Sequence, residues 1–187
     1  MVGATHKPVR LFFSYSHTDE RYLDKLKTHL VGLSRQGLIE EWHDRKIAPG
    51  QEWDKAIDEN LKASELILLL VSPEFMRSEY VNEKEIKRAL AKHERGEARV
   101  IPIIVRPADW EWAPFGQLQA LPRDAKPITR WTNRDEAWLD VVRGIRKAVG
   151  ELAGETSERT DREHQETPPL GVVDKGETKE SPSGEPK

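Results

Sequence analysis

Few residues in this chain have the type and grouping to do chemistry. Three carboxylates, Glu79, Glu83 and Glu85, fall within seven positions beside Tyr80. A hydroxyl- and imidazole-bearing run, Ser14-Tyr15-Ser16-His17, follows an apolar stretch, and Ser72-Pro73 follows another. Arg45 and Lys46 stand next to each other ahead of Pro49-Gly50. A carboxylate can stabilise positive charge that develops beside it. Adjacent Arg and Lys can meet a phosphate group. Each set also has a plainer use: solvated surface for the Glu cluster, helix capping for Ser16 and Ser72, loop charge for Arg45 and Lys46. His17 has little beyond its position to favour a general base over an exposed loop residue. Ser72 has no His/Asp relay at a recognisable spacing, which favours a cap over a nucleophile.

The elements that must carry these residues follow from apolar periodicity. Val9, Leu11 and Phe13, with Phe12 between them, read as a short buried first strand ending at Ser14. Leu23, Leu26, Leu30 and Leu33 recur at helical spacing until Gly37, and Ser16 with Asp19 forms a capping-box pattern for a start near residue 18. A second strand spans 38–43. After the loop 44–51, Trp53, Ile57 and Leu61 share one helical face. The unbroken apolar run within 65–71 predicts a strand covered on both faces. Ser72-Pro73 then caps a helical region reaching about His93, with a break near 78–81. Residues 99–105 read as a fourth strand in which Pro102 is awkward, because it cannot donate to a ladder. A weak fifth strand is placed at 127–130, after a Trp/Pro-rich loop in which Trp110 and Trp112 are either a partner surface or loop anchors. Trp138, Val142, Ile145, Val149 and Leu152 line a last helix that Asn133 and Glu136 can cap.

This alternation predicts an α/β, flavodoxin-like, doubly wound parallel sheet of five strands. Its ligands are expected beyond the carboxyl ends of the strands, at residues 14–18, 43–50, 72–73 and 106–112. Known phosphate cradles are missing there. Neither G-x-G-x-x-G nor a P-loop is present, no G-x-S-x-G elbow exists, and Ser14 and Ser72 occupy the places where a phosphoacceptor receiver carries carboxylates.

Bulk composition narrows the rest. The 187 residues are 36% hydrophobic and 34% charged, with a formal net charge of -3. The low apolar fraction is concentrated at one end, where from Gly154 to Lys187 only Leu170, Val172 and Val173 are aliphatic. The expected organisation is a flexible N-terminus over 1–7, one folded domain over 8–152, and a disordered polar tail or linker over 153–187. There is no Cys, hence no disulfide framework and no Cys-based zinc site. No metal and no bound cofactor is expected, and the natural compartment is a reducing cytoplasm. Neither a signal peptide nor a run of roughly 18 apolar residues is present, so no membrane partner is expected. The basic run Lys84, Lys87, Arg88, Lys92 and Arg95 is interleaved with Glu83, Glu85 and Glu94, which favours a solvated face over nucleic-acid binding.

Read together, the boxes resemble the TIR (Toll/interleukin-1 receptor) domain family. Phe12-Phe13-Ser14-Tyr15-Ser16 is similar to the family's first box, F-I-S-Y-S/R. The segment from Asp44 to Gly50 is similar to its BB loop, and Leu68 to Phe75 to its third strand and following turn. Ser78-Glu79-Tyr80 with Glu85 to Leu90 resembles the segment carrying the catalytic glutamate of TIR NAD⁺ hydrolases, and Val100 to Ile104 resembles the fourth strand, Pro included. The boxes stand in order across residues 9–150. Enzymatic relatives often place Trp four residues before the glutamate. Here Val81 holds that place and Tyr80 lies five before Glu85, with Glu83 as the rival carboxylate.

The resemblance implies a bacterial-type NAD⁺ hydrolase or cyclase in immune, antiphage or cell-death signalling. It would release nicotinamide and either ADP-ribose or a cyclic isomer. Glu85 is the implied catalytic residue, and Ser14, Tyr15, Ser16, Arg45, Lys46, Ser72 and Tyr80 are the expected substrate contacts. NAD⁺ and other TIR domains are the implied partners, with NAD⁺ a substrate and not a cofactor. Two other readings remain at this stage: a non-catalytic signalling module working through TIR–TIR contacts, and a host-directed adaptor mimic. The polar tail suggests a tether, to a sensor domain or to nothing.

Overall fold

In the computed structural model, residues 7–42, 52–78 and 85–165 are described, apart from the side chains of Trp53, Asp54 and residues 155–165. Strand β1 (Val9–Ser14) leads through a 3₁₀ turn (His17–Asp19) into helix α1 (Glu20–Arg35), then β2 (Ile39–Trp42). Helix α2 (Trp53–Ala63), β3 (Leu66–Val71), the short α3 (Pro73–Arg77), α4 (Ile86–Glu94) and β4 (Arg99–Ile104) follow. After two 3₁₀ turns (Arg123–Ala125 and Ile128–Arg130) comes the long α5 (Arg134–Gln165).

The strands are parallel and ordered β2-β1-β3-β4. In β3 every residue is buried, as its unbroken apolarity requires. Alternation splits the sheet's side chains between two layers. Leu11, Phe13, Leu66, Leu68 and Leu70 pack under α1 and α5. On the other face, Phe12, Ile67, Leu69 and Val71 pack with Ile57 and Leu61 of α2 and Ile86 of α4.

Local signals explain the element ends. At the end of α1, Gly37 has φ 66°, and the Leu38 N–H donates to the Leu33 carbonyl at 3.1 Å, a Schellman closure. Ser72 caps α3, its Oγ accepting from the Phe75 N–H at 3.0 Å, with Pro73 at the first helical position. Asn133 begins α5 by accepting from the Asp135 N–H at 3.0 Å, while its side-chain amide donates to Glu136 at 3.3 Å.

The described residues depart from expectation at four places. The fifth strand at 127–130 is instead a 3₁₀ turn, Ile128–Arg130, with Pro127 immediately before it. The outer side of β4 is met by a single residue, Leu121, whose N–H donates to the Pro102 carbonyl at 2.8 Å and whose carbonyl accepts from the Ile104 N–H at 2.7 Å. That contact also resolves the Pro102 objection. A strand residue turns its nitrogen and its carbonyl to the same side, so the missing N–H faces this edge and not β3.

Second, of the disordered tail expected over 153–187, residues 153–165 continue α5, which runs 32 residues, and 166–187 lie outside the described residues. Third, Ser16 makes no side-chain cap bond, and Asp19 is buried. Fourth, Lys92 is not on a solvated face. It is 8% exposed, and its ammonium donates to the carbonyls of Leu61, Lys62 and Ser64 at 3.2, 2.6 and 2.6 Å, closing the end of α2.

Candidate functional site

At β1 the chain order of the sheet reverses, with β2 on one side and β3 on the other. Parallel α/β sheets open a crevice at that point, beyond the carboxyl ends of the strands. A cavity of about 380 Å³ lies there. Its floor is aromatic: Phe12 stacks on Trp42 with ring centroids 5.2 Å apart and planes 15° apart. One wall is the turn after β1, with Ser14, Tyr15, Ser16 and His17. His17 meets Tyr15 edge-on at 5.8 Å. The rest of its polar lining comes from α3 and the residues flanking α3 and α4, through Glu74, Arg77, Ser78 and Glu85.

Glu85 is the residue immediately before α4, already in helical backbone conformation (φ -70°, ψ -47°). It is half-buried, and its Oε1 is shielded from solvent while the residue borders the cavity. The residue after it, Ile86, is 1% exposed in the layer shared with α2 and β3.

Glu74 belongs to a charge network centred on Arg106. Asp19, 1% exposed, accepts a hydrogen bond from the Ser72 hydroxyl and pairs with Arg106 at 3.0 Å. The same guanidinium pairs with Glu74. One cation therefore ties together the turn after β1, the start of α3 and the end of β4, and the hydroxyl that caps α3 belongs to the same set. An Arg fork can serve two carboxylates in this way, where a Lys would act as a point charge.

Of the residues expected from sequence, Ser14, Tyr15, Ser16 and Glu85 are brought together around the cavity. Ser72 is not among the cavity's lining residues. It is fully buried, and its hydroxyl is committed to Asp19 and to the α3 cap. Arg45, Lys46, Tyr80 and the rival Glu83 lie outside the described residues. Trp42, Glu74, Arg77 and Ser78 border the cavity without having been expected. The strand-end rule stopped at Ser72-Pro73, and carrying it through the next helical turn would have reached Glu74 and Arg77. Of the loop tryptophans, Trp110 is an anchor, buried and stacked on Phe115 at 6.4 Å, whereas Trp112 is 69% exposed.

With this geometry in place, comparison with known proteins decides the family. The model of the TIR domain family matches residues 11–140. The chain belongs to the TIR domain family. An uncharacterised protein, y4lF, of Sinorhizobium fredii is 51% identical over 142 residues, which are 76% of this chain and 44% of that protein. The chain thus spans under half the length of this curated relative. Among solved structures, the TIR domain of the Toll-related receptor TRR-2 from Hydra magnipapillata aligns with a TM-score of 0.52 at 21% identity, covering 73% of this chain and 97% of that one. That likeness supports the TIR fold, and the four-stranded parallel sheet of the described residues agrees with it.

Proposed function

We propose that this TIR domain cleaves NAD⁺ at the bond between nicotinamide and ribose, with Glu85 as the catalytic carboxylate. The observation that carries the reading is the place of Glu85: on the lining of a cavity at the strand-order reversal, which it shares with the Tyr15-Ser16-His17 turn. Nicotinamide leaves NAD⁺ as a neutral base from a cationic precursor, so departure needs little acid help. The cost lies in the oxocarbenium character left on the ribose. A carboxylate that accepts from the ribose hydroxyls and faces that carbon lowers this cost. Glu74 adds a second acidic residue to the same lining, and Trp42 and Phe12 offer an aromatic floor for a heterocycle. Attack by water on the ribose carbon gives ADP-ribose and a proton. Attack by an adenine nitrogen gives a cyclic isomer. A signalling role and contact with further TIR domains accompany this reading.

The test is incubation of the full chain with NAD⁺, at high protein concentration and on a crowding surface, with products resolved by mass spectrometry against linear and cyclic standards. Release of nicotinamide with either sugar product is expected. Absence of turnover under both conditions would leave a non-catalytic TIR module acting through protein contacts, for which exposed Trp112 is the first residue to probe.

A further inference from the structure

The geometry points to a polyanion subsite in this cavity, built from Arg77 and the hydroxyls of Ser14, Ser16 and Ser78, that takes the diphosphate of a nucleoside diphosphate group. The inference rests on reading the cavity as a nucleotide site, and it gives that site an orientation: ribose toward Glu85, diphosphate toward the end of α3.

Ser14 supplies the sharpest observation. It is 5% exposed, it borders the cavity, and its Oγ is sealed from solvent without a hydrogen-bond partner among the described residues. A hydroxyl left in that state is costly unless something enters the cavity to accept from it. Two further hydroxyls on the lining are unspent. Ser16 occupies a capping position but makes no side-chain cap bond, the Asp19 N–H donating instead to the Ser16 carbonyl at 2.7 Å. Ser78 ends α3 through its backbone N–H, which donates to the carbonyls of Glu74 and Phe75 at 3.1 and 3.2 Å, and this leaves its hydroxyl for other use.

Arg77 supplies the charge. It is exposed at the end of α3, borders the same cavity, and makes no ion pair among the described residues. Its neighbour one turn back, Glu74, is already held by Arg106. By contrast Arg10, Arg88, Arg95 and Arg99 each pair with a carboxylate. A guanidinium unpaired among the described residues and three hydroxyls on one cavity lining suit a ligand that only accepts and spreads its negative charge over several oxygens. A diphosphate has that character. A ribose, which both donates and accepts and carries no charge, does not call for the cation.

Titration calorimetry of the full chain with ADP and with adenosine tests this directly. Wild type should bind ADP more tightly than adenosine. Arg77→Gln should weaken ADP by about tenfold or more while leaving adenosine within about twofold, and Arg77→Lys should recover part of the loss. Ser14→Ala should give a smaller loss, again confined to ADP. Equal affinities of wild type for ADP and adenosine would overturn the proposal, as would an Arg77→Gln variant that binds ADP like wild type. Circular dichroism of each variant separates these outcomes from unfolding. An ADP effect at Arg77 in a protein that releases no nicotinamide would uphold the subsite and sink the hydrolase reading. Nicotinamide release with a KM for NAD⁺ unmoved by Arg77→Gln would do the reverse.

Discussion

The two carboxylates on the cavity wall keep different company. Glu74 is fixed by Arg106, which it shares with buried Asp19, whereas Glu85 is placed by the start of α4. Removing the shared cation strands two acids at once, one of them fully buried. Arg106→Met is therefore expected to cost about 3 kcal/mol of stability, read from urea unfolding midpoints at constant slope. A change under about 0.5 kcal/mol would contradict the stabilising role given to this cation. This network also marks where local sequence patterns stop informing. Ser16 and Asp19 have capping-box spacing, but the pattern takes no account of an Arg at the end of β4 that draws the carboxylate inward. Ser14, Tyr15 and Glu85 were legible because strand ends and box order point to them. Glu74 and Arg77 were not, since one turn of helix past a strand end carries no mark of its own.

Elements dominated by apolar burial were the readable ones. Strands β1, β3 and β4 and the stripes of α1 and α5 come within a residue or two of the sequence expectation at the ends that periodicity and caps define. Features set by contacts distant in sequence were not. The edge of β4 is satisfied by Leu121 and not by a fifth strand, and Lys92 reads as surface charge until the end of α2 is placed against it. Burial holds the Lys92 ammonium below its ordinary pKa of 10.5, with Glu97 and Glu65 opposing that shift. The folded chain then gives up this proton at lower pH than the unfolded one. Between the lowered folded value and 10.5 the unfolded chain binds more protons, so stability rises with pH across that window. Lys92→Met removes the donor from three carbonyls and is expected to cost about 2 kcal/mol at neutral pH. It should also flatten the alkaline rise in stability. Thermal unfolding from pH 7 to 10.5 checks both, and an unchanged slope would show that Lys92 is not the group responsible.

At the scale of the molecule, the last large aliphatic residue of α5 is Leu152, whereas the helix runs to Gln165. Val149 is 3% exposed and Leu152 packs partly on the core, but Gly154 is exposed and the residues beyond it are polar. Cutting the chain after Gly154 is expected to leave the melting temperature within about 2 °C. A drop of about 5 °C or more would show that the outer turns of α5 contribute packing that burial through residue 154 does not reveal.

The fold places Glu85 on the wall of the crevice where the strand order reverses, and the proposed chemistry stands on it. The most direct measurement is nicotinamide release from NAD⁺ by wild type and by Glu85→Gln, at matched high protein concentration with matched circular dichroism. The account predicts turnover by wild type and a loss of about a hundredfold or more in the variant, since the substitution keeps the shape and removes the charge that the transition state needs. Wild-type rates retained by Glu85→Gln would contradict it.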